Sequence, residues 1–311
     1  MKAAQITEYG DKSVLKTVVD APKPKAAAGQ VLVAVHAAAV NPFDWKVREG
    51  QAQAYVPLKF PATLGSDFAG VIEELGEGVN GLSVGMEVYG QANALGGEGS
   101  FAEFVPVKAE SVAPKPKKLD FVTAAALPLA GVSTYQALVE EANLQAGQKV
   151  LIHGGAGGIG SYAIQLAKHL KAYVATTAAA DDADFVKNLG ADEVIDYTSQ
   201  DFSTLLQDYD VVYDTVGGDT YTKSYQVLKP GGILISMTEQ PNEELAAQHQ
   251  VTAIAQQTRT TTERLTKLAE LVDQGAIKPQ IDKVFPLEEA SQALAYIQEG
   301  KHRGKVVIKV N

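Results

Sequence analysis

Residues 150–168 read VLIHGGAGGIGSYAIQLAK, and this stretch decides the fold of the chain. Val150, Leu151 and Ile152 form a short apolar run, as expected for a buried parallel strand. Five glycines follow within residues 154–160, and then come apolar residues at helical spacing. A strand, a glycine turn and a helix in this order predict a dinucleotide-binding turn, although a glycine loop without a ligand is the alternative.

The glycines of the G-x-G-x-x-G pattern have separate predicted roles. Gly155 permits a tight turn, Gly157 lets the backbone approach a pyrophosphate, and Gly160 lets the helix pack closely on the strand. The start of the helix, at Gly158 and Ile159, directs unpaired N–H groups and a positive dipole end at the phosphates. We therefore predict that these five residues bind a dinucleotide.

The composition excludes several classes of protein. The chain has 311 residues, which is enough for two domains, and a formal net charge of -10, which argues against a nucleic-acid partner. It has no cysteine, so disulfides, thiolate zinc sites and cysteine nucleophiles are excluded. The start, MKAAQITEYG, has no signal-peptide core, and no run of about 18 apolar residues occurs, so we expect a cytoplasmic protein without a membrane partner.

The chain changes character near residue 123. Residues 1–122 contain short strand-like runs separated by glycines, which predict a barrel-like antiparallel domain. Residues 123–270 alternate strands with helices, which predicts a doubly wound parallel sheet, so the fold class is α/β. Residues 271–311 contain a helix and a strong terminal strand, and their return to the first domain is left open by the residues themselves.

The end of the second parallel strand indicates which cofactor binds. An Asp or Glu about 20 residues after the glycine turn normally holds the ribose 2′-hydroxyl of NADH. Here the strand ends at Thr177, and Asp181 comes only after three alanines. Because a missing carboxylate also removes repulsion toward a 2′-phosphate, we predict NADPH, with a site that accepts either cofactor as the alternative. The nearest following cation is Lys187.

Several motifs together resemble one family, the zinc-independent medium-chain dehydrogenase/reductases, and within it the quinone oxidoreductases and alkenal/enone reductases. Besides the glycine turn, the resemblance rests on five stretches that span the chain: NPFDWK (41–46), LGSDFAGVI (64–72), GSFAEFV (99–105), ALPLAGVST (126–134) and DEVIDY (192–197).

This resemblance implies a GroES-like β-barrel domain, rejoined by the C-terminal helix and strand, and a Rossmann domain that binds NADPH. It implies hydride transfer to a quinone or to the β-carbon of an α,β-unsaturated carbonyl. It places Asn41 and Thr134 near the nicotinamide, Tyr197 at the 2′-phosphate and Gly217 along the cofactor. Many relatives form homodimers through edge strands of the nucleotide domain, and the same assembly is implied here.

The resemblance also argues against a metal. Zinc-using relatives carry a Cys near position 41–44, Gly-His-Glu where this chain has Gly65-Ser66-Asp67, and a four-cysteine lobe, and this chain has none of these. The five histidines show no ligand spacing either. We predict no metal site.

Without a metal, other groups must stabilise the charge that grows on the carbonyl oxygen. Asn41 is one candidate donor, because its uncharged amide follows a strand and precedes Pro42. Lys46 is the second, as a donor or a proton source, with an ordinary solvated lysine as the equal alternative. Tyr55 is a weaker candidate. Lysine at position 46 favours an enone over a quinone, because enone reductases of the family tend to have Lys there.

Two other functions remain open at this point. An enoyl-thioester reductase would use the same cofactor on a long acyl chain. A non-catalytic protein would bind NADPH as a sensor or a crystallin-like component.

Overall fold

The computed structural model describes residues 1–54 and 57–311, which fall into two units. The first unit contains residues 1–129, 260–273 and 281–311, and the second contains residues 130–259 and 274–280. None of the described helices has the length and apolar character that a bilayer span requires.

The elements are numbered in chain order. The strands are β1 (Ala3–Ile6), β2 (Lys16–Val18), β3 (Gln30–Val40), β4 (Ala62–Thr63), β5 (Asp67–Leu75), β6 (Glu87–Gln91), β7 (Phe104–Lys108), β8 (Val112–Pro114), β9 (Lys149–Ile152), β10 (Tyr173–Ala178), β11 (Glu193–Asp196), β12 (Tyr209–Asp214), β13 (Leu228–Ser236), β14 (Thr252–Ala255), β15 (Ile281–Pro286) and β16 (Lys305–Lys309). The helices are α1 (Pro42–Arg48), α2 (Phe121–Ala125), α3 (Pro128–Tyr135), α4 (Gly158–His169), α5 (Ala183–Asn188), α6 (Phe202–Leu205), α7 (Asp219–Ser224), α8 (Glu243–His249), α9 (Thr262–Asp273) and α10 (Ala290–Gln298).

The first unit is built around the long strand β3. One sheet has the order β15-β16-β3-β5-β6-β8, with β7 also paired to β3, and a second sheet has the order β2-β1-β4. The β-branched residues Val31, Val33 and Val35 of β3 are fully buried and belong to one hydrophobic cluster with Phe68 and Ile308. Leu32 and Ala37 to Ala39 are buried too, so most of β3 is covered on both faces.

The terminal strand β16 lies inside this sheet. It pairs antiparallel with β3, with Val306 opposite Val40, and parallel with β15. Its run Val306, Val307 and Ile308 is fully buried, and since successive side chains point to opposite faces, both faces of the strand are covered. The antiparallel pairing brings the start of β16 beside the end of β3.

The second unit is a six-stranded sheet with the order β11-β10-β9-β12-β13-β14, and each neighbouring pair is parallel. This is the dinucleotide-binding strand order, in which the direction of winding reverses between the first and fourth strands, here β9 and β12. Val150, Leu151 and Ile152 of β9 are fully buried, as predicted for the central strand. The ligand crevice of such sheets lies at this reversal.

The unit boundaries differ from those predicted. The first unit extends to Leu129 rather than to residue 122, and it includes α9, which the sequence grouped with the parallel sheet. The α9 helix is attached by hydrogen bonds, because Thr262 Oγ1 donates to Val112 O at 2.8 Å and Tyr89 OH donates to Leu265 O at 2.5 Å. These contacts join residues more than 140 positions apart, which local patterns do not reveal.

Candidate active site

The glycine turn of the second unit joins β9 to α4. Gly154 has a φ of +71°, and its N–H donates to Thr177 Oγ1 at 3.2 Å. The N–H of Gly155 donates to Thr177 O at 3.0 Å, which attaches the turn to the end of β10. The left-handed residue of the turn is Gly154, directly before Gly155, the residue predicted to permit the tight turn.

Close packing explains why Gly155 and Gly160 are glycines. A Cβ on Gly155 would lie 2.1 Å from Thr176 Oγ1, and one on Gly160 would lie 2.2 Å from Gly154 O. Both distances are far below van der Waals contact, so neither position accepts a side chain without a shift. Gly160 lets the helix approach the turn itself, and Gly155 lets the turn approach β10.

Gly157 differs from its neighbours, because a methyl group there would make one tight contact and would need only a small shift of the turn. A Cβ at this position would meet only Gly154 O, at 3.3 Å. Gly157 is the N-cap of α4, with an ordinary φ of -75°, and Gly158 and Ile159 begin the helix behind it. The free space and the first N–H groups of α4 form a cradle suited to a phosphate.

A cleft lies beside this turn within the second unit. It has a volume of about 570 Å³, and its lining includes Gly154, Thr177, Tyr197 and Lys223. Tyr197 follows β11, and its N–H donates to Ala178 O at 3.3 Å, so the end of β10 and the tyrosine are neighbours. The tyrosine ring is 63% exposed, which leaves its hydroxyl accessible to a ligand.

The end of β10 carries no carboxylate, since its residues are Thr176, Thr177 and Ala178. The cleft does contain a cation that sequence reasoning missed. Lys223 on α7 lines it and is paired with Asp201 at 2.6 Å, and the hydrogen bond to this carboxylate raises the pKa of the lysine. No local sequence pattern points to Lys223, because it lies far along the chain from Tyr197 and only the folded structure brings it to the cleft.

Three further residues of the second unit have defined places. Thr134 is fully buried on α3, and its hydroxyl donates to Ile159 O at 3.4 Å, near the start of α4. Gly217 follows β12 with a φ of +85°, and its N–H donates to Asp214 Oδ1 at 3.0 Å. Thus Thr134 borders the phosphate cradle, and Gly217 lies at the carboxyl end of the strand next to β9.

His153, directly after β9, holds the end of this strand in place. Its ring nitrogens lie 3.1 Å from Thr177 Oγ1 and 3.0 Å from Ser224 Oγ. Burial lowers the pKa of His153 to about 3, so the ring is neutral at physiological pH. It is a structural link between β9, β10 and α7.

Asn41 lies in the first unit, at the junction of β3 and α1. It is the N-cap of α1, Pro42 is the first helical residue, and the N–H of Asn41 donates to Asp44 Oδ2 at 2.7 Å. Burial raises the pKa of Asp44 to about 7, against the lowering effect of that hydrogen bond. The helix start therefore fixes the backbone of Asn41 and leaves its side chain for other contacts.

The Asn41 carboxamide belongs to a buried polar cluster with Asp67 and Lys305. Asn41 Nδ2 donates to Asp67 Oδ2 at 3.0 Å and lies 3.5 Å from Ser66 Oγ. Asn41 Oδ1 accepts from Lys305 Nζ at 2.5 Å. Asn41 is 2% exposed, Asp67 is 0% exposed and Lys305 is 3% exposed, so water does not compete for these hydrogen bonds.

The charges of this cluster oppose their burial. Burial raises the pKa of Asp67, and the nearby Lys305 counteracts that effect; burial also lowers the pKa of Lys305. The ammonium lies 3.7 Å from Asp67 Oδ2, and Asp67 Oδ1 accepts from Leu129 N at 3.1 Å. Asn41 thus lies between a group that only donates and a group that, when ionised, only accepts.

The other two predicted catalytic candidates are not part of this cluster. Lys46 is half-buried on α1, with Nζ 5.7 Å from the centroid of the Trp45 ring, and it makes no hydrogen bond or ion pair with the described side chains. Tyr55 lies outside the described residues. Lys46 therefore stays a prediction from the resemblance.

The cluster does not fit a zinc ion. Its oxygen and nitrogen atoms belong to an amide, a hydroxyl, a carboxylate and an ammonium, with no thiolate or imidazole among them. The carboxylate oxygens already accept three contacts, one of them from a cation. Over residues 1–54 and 57–311, no group of three or more His, Asp or Glu side chains is placed to hold a metal.

Comparison with known proteins shows which family the chain is similar to. Residues 27–117 match the family described as "Alcohol dehydrogenase GroES-like domain", and residues 189–308 match that described as "Zinc-binding dehydrogenase". A 2-methylene-furan-3-one reductase of Solanum lycopersicum is 40% identical, over 99% of this chain and 79% of that protein. The NADPH-dependent alkenal/one oxidoreductase, chloroplastic, of Arabidopsis thaliana is 37% identical over the same shares. The quinone oxidoreductase structure from Coxiella burnetii has a TM-score of 0.92 and 37% identity, over 100% of this chain and 99% of that one.

These findings first define the class, a dehydrogenase/reductase made of a GroES-like unit and a Rossmann unit. The chain belongs to the medium-chain dehydrogenase/reductase family, in the zinc-independent group of quinone and alkenal/one oxidoreductases. The predicted family and fold class are confirmed.

Proposed function

We propose that this chain is an NADPH-dependent reductase of the C=C bond of α,β-unsaturated carbonyl compounds, with quinones as alternative acceptors. Relatives named for NADPH-dependent alkenal/one oxidation-reduction, furanone reduction and quinone reduction support the proposal. All of them match this chain over at least 99% of its length.

One observation carries the proposal: the dinucleotide turn stands beside a strand end that has no carboxylate. Thr177 accepts from both Gly154 and Gly155, and so the turn and the end of β10 form one surface. A carboxylate in this place would bind a ribose 2′-hydroxyl and repel a 2′-phosphate. The exposed Tyr197 and Lys223, whose ammonium is paired with Asp201, both line this cleft, and both side chains can donate to a phosphate.

When held at the turn of Gly157 to Ile159, NADPH would supply a hydride for the β-carbon of the conjugated carbonyl and would become NADP⁺. The C=C pair of electrons then moves toward the carbonyl oxygen, which becomes an enolate oxygen. Asn41 is the proposed donor to this oxygen, since one N–H of Nδ2 bonds Asp67 and the other makes only the long contact with Ser66. A proton delivered to the α-carbon completes the reduction, and Lys46 is its proposed source.

The test is an assay of NADPH oxidation with a short enone, a quinone and an enoyl thioester. Reduction of the enone supports the proposal. Preferred turnover of the thioester would favour an enoyl-thioester reductase, and NADPH binding without turnover of any acceptor would favour a sensor-like or crystallin-like role.

Two variants test the donors. Asn41→Ala should lower kcat by about 10²-fold, the usual loss for one donor to a developing oxyanion. Lys46→Ala should lower kcat less and change its pH dependence if the ammonium delivers a proton. Wild-type turnover in either variant would remove that residue from the mechanism.

Location and assembly stay proposals. We propose a cytoplasmic location, which fractionation of cells would test, and the Arabidopsis relative is named as chloroplastic. A homodimer rests on the resemblance, and sedimentation of the purified protein would test it.

A further inference from the structure

Lys305 is a buried cation to which the proposed reaction assigns no role. It is 3% exposed and belongs to β16, which pairs with β3 so that Val306 lies opposite Val40. This register directs Lys305 Nζ to the end of β3, where it donates to Val40 O at 3.3 Å and to Asn41 Oδ1 at 2.5 Å.

A charge at this depth is expensive unless other groups compensate it. Desolvation of an ion in a protein interior costs several kcal/mol, and well-packed apolar residues often stabilise such a site at least as well. The ammonium contacts two uncharged oxygens more closely than it contacts Asp67, at 3.7 Å. Its shortest contact is with the Asn41 side chain, so its charge acts most strongly on that carboxamide.

The contacts fix which way the carboxamide faces. An ammonium donates only, so Asn41 Oδ1 must face Lys305, and Nδ2 must then face Asp67 and Ser66. Hydrogen bonds in a chain polarise one another, and so a cation on Oδ1 also makes the N–H groups of the amide stronger donors. Without this cation, the bond from Nδ2 to Asp67 would remain, but Oδ1 would lose its donor and the amide would be held from one side only.

We propose that Lys305 is a positioning residue that holds the Asn41 carboxamide so that its second N–H is presented to the carbonyl oxygen of the acceptor. This inference rests on the proposed function. Lys305 acts through Asn41 and has no contact of its own with the acceptor.

The test compares Lys305→Met with Lys305→Gln, and Lys309→Met serves as the control on the exposed part of the same strand. Lys305→Met removes the donor, and we expect kcat to fall by about 10²-fold, as for other small losses of orientation. The NADPH Kd should stay within about twofold. Lys305→Gln restores a neutral N–H donor and should recover most of the lost kcat. Lys309→Met should match the wild type.

A double-mutant cycle separates positioning from a general structural effect. In the Asn41→Ala background, Lys305→Met should lower kcat by less than about twofold further, because coupled residues are not additive. Additive losses, or a wild-type kcat in Lys305→Met, would overturn the proposal. If the wild type reduces no acceptor, or if Asn41→Ala is fully active, the proposed function or its donor fails instead.

A measurement on the unsubstituted protein covers the case in which Lys305→Met does not fold. With ¹⁵N-labelled lysine and ¹³C-labelled asparagine, an exchange-protected ammonium signal should show coupling through the hydrogen bond to Asn41 Cγ. A missing coupling would show that the ammonium does not hold the amide, and the proposal would be wrong.

Discussion

Substitution of Gly157 by alanine separates the phosphate cradle from the packing of the protein. The new Cβ would meet only Gly154 O, at 3.3 Å, and the φ of -75° at this position suits alanine. Alanine at an N-cap costs about 1 kcal/mol against the preferred residues and glycine only a few tenths, so the exchange of glycine for alanine should cost about 1 kcal/mol and the folded state should be retained. The methyl group would instead occupy the space that a pyrophosphate needs.

The expected loss of NADPH affinity follows from the bonds that would be broken. Hydrogen bonds to a charged group contribute about 1.5–3 kcal/mol each, and loss of one raises Kd by about 10- to 150-fold. Gly160→Ala is the matched comparison, because its Cβ would lie 2.2 Å from Gly154 O and 2.7 Å from Gly155 Cα. This overpacking should lower the free energy of unfolding by about 1–3 kcal/mol and also weaken binding.

Calorimetric titration with NADPH gives the Kd of each variant, and urea unfolding gives its stability. The expected pattern is a stable Gly157→Ala with weak binding and a destabilised Gly160→Ala with weak binding. If Gly157→Ala bound NADPH with the wild-type Kd, the turn would not be the phosphate site, and the basis for the cofactor assignment would be lost.

Three more predictions concern the cofactor cleft and buried titrating groups. Tyr197→Phe should raise the Kd of NADPH by about tenfold and leave that of NADH unchanged, since one hydrogen bond to a 2′-phosphate would be lost; equal changes for the two cofactors would contradict this role. The pKa of Asp44 is near 3.8 in the unfolded state and about 7 in the folded state. Between these values the folded state binds more protons, so the free energy of unfolding falls as pH rises through this window, by roughly 4 kcal/mol in all. Asp44→Asn should therefore raise the Tm most above pH 7, and a larger gain at pH 4 would refute the assignment. His153 behaves in the opposite sense, since its pKa drops from 6.5 to about 3 on folding; stability should fall as pH decreases below 6.5, and His153→Gln should flatten that slope in a series of urea unfolding curves.

Local sequence patterns revealed the second unit well. The glycine turn and the alternating strands predicted a doubly wound sheet, because each strand of a parallel sheet is a short buried apolar run. The helix α8 and the strand β14 were missed, since β14 has only four residues at the sheet edge and none of them is fully buried. An edge strand that is half exposed lacks the apolar signal of a central one.

The site was predicted only where its residues lie near one another in sequence. Asn41 was found through its strand end, Pro42 and the resemblance, but Lys305 was not, because 264 positions separate the two partners of that hydrogen bond. Lys223 was missed for the same reason, and Lys187 was considered in its place. The pairing of β16 with β3 and the approach of α7 to the cleft are tertiary events with no local pattern.

The position of β16 has a consequence for how the chain folds during synthesis. Most of the second unit, residues 130–259, is continuous and leaves the ribosome well before residue 305 is translated. Until then, β3 has an open edge at residues 37–40, and the buried carboxylate of Asp67 has no counter-ion. The nascent first unit thus exposes an unpaired strand edge, the form most exposed to misassociation. The edge of β3 becomes paired and Asp67 gains the ammonium of Lys305 in the same late step.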